Sequence, residues 1–252
     1  MDVTEFTEDA FLDGRVRARQ FTRGFRSGLD AVMLAAAVPA REGDTVLELG
    51  SGAGVASLCV AARVSDCTII GVEISADLVS LATDNAAANG MADRVRFFHA
   101  DVLDLPPELR VPFDHVLCNP PFHDAEGERS PDESRARALQ DAGDLSRWLE
   151  TGVKRTASNG TFTVILRADR LREALGALSE CGVSVFPLWP KRQLAAKRVL
   201  IQVERGKRTQ LTLLPGLVLH QAYGHYTPEA DAILRGRAAV QFSTYAERPA
   251  TR

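Results

Sequence analysis

Thr45-Val46-Leu47-Glu48-Leu49-Gly50-Ser51-Gly52-Ala53-Gly54 decides the fold. Five β-prone residues run straight into three glycines at alternate positions, and a helix-length run of small apolar residues, Val55–Val64, follows. Strand, glycine turn and helix in that order open a βαβ unit, in which the chain turns sharply and free helix N–H groups face a ligand. Outward from it the alternation continues. Thr68–Glu73 reads as a second strand, and Ser75 as the N-cap of a helix running to Asn89-Gly90. Val95–His99 and Phe113–Cys118 read as the third and fourth strands. A helix carrying Trp148 leads into a fifth, Thr161–Leu166, after which Asp169 is placed to cap a helix reaching about Cys181. Val183–Leu188 and Arg198–Glu204 complete the set. Strands apolar on both faces and separated by helices predict a doubly covered, parallel, seven-stranded α/β sheet of Rossmann-like type.

The spacing predicts residues 1–40 as an N-terminal arm and helix packing on the ligand site, 41–206 as the core, and 207–252 as an extension of strands and a short helix. Residues 119–144 form a long polar segment directly after the fourth strand, a kind of segment that is usually functional or disordered, and a lid over 123–144 ordered by substrate is one reading left open.

In an open α/β sheet the ligand lies beyond the carboxyl ends of the strands. Glu48, Gly50, Ser51, Gly52 and Gly54 form the first part of that place. Glu73 ends the second strand, with Ile74 behind it, where a carboxylate can accept the hydroxyl protons of a ribose. That role suits a nicotinamide dinucleotide or S-adenosylmethionine alike. Gly-x-Gly-x-Gly departs from the dinucleotide pattern Gly-x-Gly-x-x-Gly. Asp101, with Val102, follows the third strand, where a carboxylate can accept the amino hydrogens of an adenine.

Asn119-Pro120-Pro121-Phe122 follows the fourth strand. Two prolines fix the backbone and remove two donors, leaving acceptors in the Asn119 carboxamide oxygen and the Pro120 carbonyl. Such a pair can hold both hydrogens of an NH2 group, and Phe122 offers a face for a base to stack on. The plain alternative is an Asn-Pro turn with a core phenylalanine.

The ELGSGAG loop, Glu73, Asp101 and NPPF together resemble the class I amino-methyltransferase superfamily over roughly residues 28–205. Gly24-Phe25-Arg26-Ser27-Gly28-Leu29-Asp30 through Leu34, with Tyr226-Thr227, resembles the bacterial tRNA adenine-N6 methyltransferases acting on the anticodon loop of a valine tRNA. The resemblance implies S-adenosylmethionine as cofactor, held by the glycine loop, Glu73, Asp101 and Asn119. It also implies Asn119, Pro120 and Phe122 as the catalytic set, and Pro121, His123, Arg26, Lys197 and Arg198 against substrate. His123-Asp124 is closer to the guanine-N2 methyltransferases of ribosomal RNA, so that activity stays open. Protein glutamine-N5 methylation also stays open, as does a silent module that binds cofactor and RNA, while a dehydrogenase lacks its motif.

The remaining features limit the partners. Of 252 residues, 30 are basic and 33 acidic, a net charge of −3, so nucleic-acid binding needs a local patch. Two stretches offer one: Arg15, Arg17, Arg19, Arg23 and Arg26; and Lys191, Arg192, Lys197, Arg198, Arg205, Lys207 and Arg208. Cys59, Cys67, Cys118 and Cys181 have neither disulfide-framework nor zinc spacing. No apolar run is long enough to span a membrane, and Met1–Asp13 lacks the order of a signal peptide. The expectation is a cytoplasmic protein acting on RNA, most simply tRNA, without a metal.

Overall fold

The structure is a computed structural model describing residues 5–121, 145–207 and 210–242. The chain begins with a hairpin where the sequence suggested an arm. β1 (Phe6–Phe11) pairs antiparallel with β2 (Val16–Phe21), and the turn passes through positive φ at Leu12, Asp13 and Gly14. Alternation on β2 buries Val16, Ala18 and Gln20 and exposes Arg17 and Arg19. The hairpin is fixed to α3 (Ala76–Ala88) by two amides one helical turn apart. Asn85 accepts from Arg19 N at 2.9 Å and donates to Arg19 O at 2.9 Å, while Asn89 treats Arg17 in the same way at 2.9 and 2.6 Å. The two side chains act as a substitute strand, each bond contributing about 0.5–1.5 kcal/mol.

α1 (Leu29–Ala37) leads to β3 (Thr45–Leu49), and the glycine turn leads to α2 (Val55–Arg63). β4 (Thr68–Glu73), α3, β5 (Val95–His99) and β6 (Phe113–Cys118) then follow in the expected places. Ser75 caps α3, its Oγ accepting from Leu78 N. α4 (Leu145–Arg155) buries Leu145, Trp148, Leu149 and Gly152, and runs directly into β7 (Thr156–Arg167), five residues longer at its start than expected. Gly152 lets this helix sit on the sheet, because a Cβ there would stand 2.3 Å from the Phe162 ring.

Two expectations fail. Asp169 caps nothing; it pairs with Arg167 inside a 3-10 turn over Ala168–Arg170, and α5 (Leu171–Ala177) starts after it and stops short of Cys181. The sheet is also mixed rather than parallel. β8 (Val183–Trp189) and β9 (Arg198–Glu204) are joined by eight residues, too few for a helical crossover, so β9 runs antiparallel to both β7 and β8. The strand order is β8-β9-β7-β6-β3-β4-β5. Two short strands extend the expected seven to nine: β10 (Thr212–Leu213) and β11 (Leu217–Val218) both pair with β8. α6 (Pro228–Leu234), capped by Thr227, closes the extension against α1.

Period-two alternation divides the core between the faces. Leu117, Ile165, Phe186 and Leu200 pack with α1, α2, α6 and the hairpin. Val116, Cys118, Val164, Leu166, Val199 and Ile201 pack with α4 and α5. From β3 the chain proceeds through β4 and β5 to one side and through β6 and β7 to the other. Order therefore reverses between β3 and β6, and a crevice opens beyond Leu49 and Cys118, which are paired in register.

Candidate active site

Three glycines shape the floor of this crevice. Gly50, Gly52 and Gly54 have φ of 71°, 54° and 82°, values that side-chain-bearing residues rarely adopt. Gly50 N and Ser51 N both donate to Val72 O, at 2.8 and 2.9 Å, which folds the loop back over β4. Space adds a second constraint at two of them. A Cβ on Gly54 would lie 2.5 Å from Phe97 Cζ, and one on Gly50 would lie 2.7 Å from Trp148 Cη2. Around Gly52 there is open space, so the loop has its free side there.

Glu73 organises the loop as well as facing it. It is 9% exposed; its Oε2 accepts from Gly52 N at 2.9 Å and its Oε1 from Ser75 N at 3.0 Å. Each oxygen keeps lone-pair capacity for a further donor. Asp101 is exposed, with Oδ1 accepting from Leu103 N at 2.8 Å. Behind them, the Ile74 carbonyl meets His99 Nε2 at 2.9 Å, and Val102 is buried in the apolar cluster with Leu105. Glu48 takes another role. It is 3% exposed, and its Oε2 accepts the N–H of Ser57 at 2.9 Å and the Ser57 hydroxyl, tying β3 to α2. Burial pushes its carboxyl up to about 8, so it is largely neutral at pH 7.

Beyond β6, Asn119 stands beside Gly50, one residue past the Cys118–Leu49 pair. Its buried Oδ1 has no hydrogen-bond partner. Neither has the Ser51 Oγ, nor the Nε1 of Trp148, whose ring lies against Gly50. Five buried side-chain polar atoms lack partners among the described residues, and these are three of them. Buried orphans cost about 1–3 kcal/mol each and are rare in folded proteins. Asn119 is the one that stands at the switch point, where its acceptor suits a polar ligand; the Ser51 side chain lies over Gly71 of β4, and Trp148 turns its Cη2–Cζ3 edge, not Nε1, toward Gly50.

Residues 28–145 match the family described as the methyltransferase small domain. A relative from Vibrio campbellii named tRNA1(Val) (adenine(37)-N6)-methyltransferase is 34% identical over 220 residues, covering 82% of this chain and 88% of the relative. One of the same name from Yersinia enterocolitica is 30% identical over 217 residues, covering 82% and 83%. The chain belongs to this family. It is an S-adenosylmethionine-dependent methyltransferase. Its fold is shared with a crystal structure from Agrobacterium tumefaciens described as a predicted O-methyltransferase, at 26% identity and a TM-score of 0.70, covering 84% of this chain and 98% of that one. An S-adenosylmethionine-dependent O-methyltransferase from Thermotoga maritima has the same fold at a TM-score of 0.54 and 16% identity, covering 75% and 69%.

In this methyltransferase the basic stretches are sorted by structure. Arg17 pairs with Glu8, Arg19 with Asp84 and Arg26 with Asp9, so most of the first stretch is neutralised locally. Arg198 pairs with Asp30 of α1 at 2.8 Å, joining the family-like Gly24–Leu34 segment to the start of β9. Lys197 is exposed beside it. Arg205 and Lys207 lie at the opposite edge of the sheet, where Arg205 N donates to Gly160 O and its guanidinium to Thr156 O. They do not belong with Lys197. Pro121 is half-buried next to the buried Pro120. Phe122, His123, the candidate lid over 123–144 and Arg208 lie outside the described residues. Trp148 was read from the sequence only as part of a helix; nothing short of the helix-to-sheet packing reveals that its ring meets the first glycine.

Proposed function

We propose that the enzyme methylates the exocyclic N6 of an adenine in a tRNA. The observation carrying this reading is the orphaned, buried Oδ1 of Asn119 at the switch point, an acceptor with no donor among the described residues. The tRNA adenine-N6 names of the relatives favour a base amine as that donor. In this reading the glycine loop, Glu73 and Asp101 hold the cofactor, with Glu73 on the ribose and Asp101 on the adenine. When bound, S-adenosylmethionine supplies a methyl group already activated as a sulfonium. Asn119 Oδ1 accepts one hydrogen of the target amine and the Pro120 carbonyl the other, which leaves the nitrogen lone pair free to attack. Catalysis is then chiefly positioning and exclusion of water. No base is required before transfer, because the amine's proton leaves after the nitrogen has gained the methyl group and become acidic.

The test is transfer of tritiated methyl to bulk tRNA, ribosomal RNA and total protein, with the nucleoside identified by mass spectrometry. N6-methyladenosine in tRNA is expected. N2-methylguanosine in ribosomal RNA, or label in protein alone, would replace the reading with one of its two competitors.

A further inference from the structure

Strand direction decides which loops stand beside the crevice. β7 and β8 are both antiparallel to β9, so the last residue of β8, Trp189, lies at the same edge as Asn119. β11 runs parallel to β8 with Val218 beside Trp189, so residues 219–227 also emerge there. Two loops, 190–197 and 219–227, thus border the active-site edge from the β8 side. Neither contains an acidic residue, and together they carry Lys191, Arg192, Lys197, His220 and His225.

The second loop is firmly built. Gln221 N donates to His225 O at 2.7 Å, Gly224 N to Gln221 O at 3.1 Å, and Gln221 Nε2 to Tyr226 O at 2.9 Å. It is joined to the first loop by His220 N donating to Pro190 O and Lys191 Nζ to Ala222 O, each at 3.1 Å. Tyr226 stacks on His220 with ring centroids 4.8 Å apart. At the tip of this rigid turn Tyr223 is 94% exposed. A tyrosine held out in water on so fixed a support contributes nothing to the core. Arg192 and Lys197 are exposed and have no acidic partner among the described residues, whereas Arg198 is engaged with Asp30.

We propose that these two loops grip the single-stranded RNA next to the target base, with Tyr223 stacking on a neighbouring base and Arg192 and Lys197 on phosphates. The combination of an exposed aromatic face and cations without an acidic partner among the described residues matches single-stranded nucleic acid, whose bases stack and whose backbone carries the charge. This rests on the tRNA reading above.

The test is the affinity of the full chain for unmodified tRNA at several salt concentrations, beside its affinity for S-adenosylmethionine as a check of folding. Tyr223→Ala is expected to weaken tRNA binding at least about fivefold. Arg192→Ala with Lys197→Ala is expected to weaken it and to flatten the slope of log affinity against log salt by about 1.4, the value for two phosphate contacts on a single strand. Lys154→Ala with Lys207→Ala removes the same charge from the opposite edge and is expected to leave the slope unchanged. If the parent methylates tRNA yet the Tyr223 and Arg192/Lys197 variants bind it as the parent does, the grip is wrong and the function stands. Equal flattening by the opposite-edge pair would reduce the effect to net charge and overturn the grip as well. A parent that neither binds nor methylates RNA would overturn both proposals together.

Discussion

Replacing Gly50 by alanine tests whether Trp148 forms a fixed wall of the glycine loop. Two costs are built into the position. At a φ of 71° an alanine Cβ crowds the following carbonyl, which costs about 1–2 kcal/mol. The same Cβ would stand 2.7 Å from Cη2 and 2.9 Å from Cζ3 of Trp148. That ring is only 7% exposed and packs in a cluster with Leu149, so it cannot step aside freely. Overpacking of this kind costs about 1–3 kcal/mol, for a total of about 2–5 kcal/mol. The two parts separate in a double-mutant cycle followed by urea unfolding. In a Trp148→Leu background the clash is gone and Gly50→Ala retains only its backbone cost. The two substitutions together are therefore expected to cost about 1–3 kcal/mol less than the sum of the single ones. Strict additivity would refute the contact, and with it the placing of Trp148 at the active site.

Asn119→Ala is expected to abolish methyl transfer while calorimetry finds the cofactor's dissociation constant nearly unchanged; parallel loss of cofactor binding would remove Asn119 from the amine. Glu73→Ala is expected to weaken cofactor binding at least about tenfold, the effect of a lost charged hydrogen bond, and to lower the unfolding temperature because Gly52 N and Ser75 N lose their acceptor. An unchanged dissociation constant would take Glu73 out of the ribose site. Glu48→Gln addresses the buried acid. The folded protein holds the Glu48 proton up to about pH 8, while the unfolded chain releases it near the ordinary value of 4.5, so stability contributed by this group falls as pH rises between those values. Glutamine can still accept from Ser57 and does not titrate, so its unfolding free energy is expected to decline less from pH 5 to pH 8. Equal declines would mean that Glu48 is not buried as a neutral acid.

Most of the sheet is legible because its strands are short apolar runs punctuated by glycine, asparagine and acidic residues. Thr68–Glu73, Val95–His99 and Phe113–Cys118 could be bounded to the residue. The hairpin escaped although its pairing is local across Leu12-Asp13-Gly14, because its arginines looked like an RNA arm; what the sequence does not show is that its backbone is also held by Asn85 of α3 and by Asn89 at the end of that helix, some 66 to 72 residues away. The antiparallel β9 was within reach, since eight connecting residues exclude a crossover. The mistaken Asp169 cap has a local cause. Arg167, two residues earlier, offers its guanidinium to the same carboxylate, and a charged partner wins over the two or three backbone N–H groups of an unformed helix turn. At the site, the motif residues declare themselves by type and order. Trp148 does not, because a tryptophan on an amphipathic helix is ordinarily core, and only its meeting with a glycine on a distant strand end changes its meaning.

The two edges of the sheet differ in how they treat polar groups, and the difference says where ligand binding must act. At the amino-terminal edge the polar groups that join β3 to β6 are matched within the chain, although Arg155 Nη1, just ahead of β7, is a buried donor without a partner among the described residues. His115 lies between Thr161 Oγ1 at 2.7 Å and Asp44 Oδ2 at 3.0 Å, and burial holds its imidazole below the ordinary value despite that carboxylate. Asp114 accepts from both Thr45 N and Thr45 Oγ1 at 2.8 Å, locking β6 to β3 at their starts. At the carboxyl edge the loops that leave these two strands carry Ser51 and Asn119, each with a buried oxygen unmatched among the described residues. Since β3 and β6 run parallel in register, a rigid start fixes the separation of their ends, and Asn119 Oδ1 is left unmatched just beyond them. The cost stays in the folded protein until donors and acceptors arrive from outside. A sheet whose β3 and β6 are locked at their starts, with an unmatched acceptor just past the end of β6, is in that sense already shaped for its ligands before they bind.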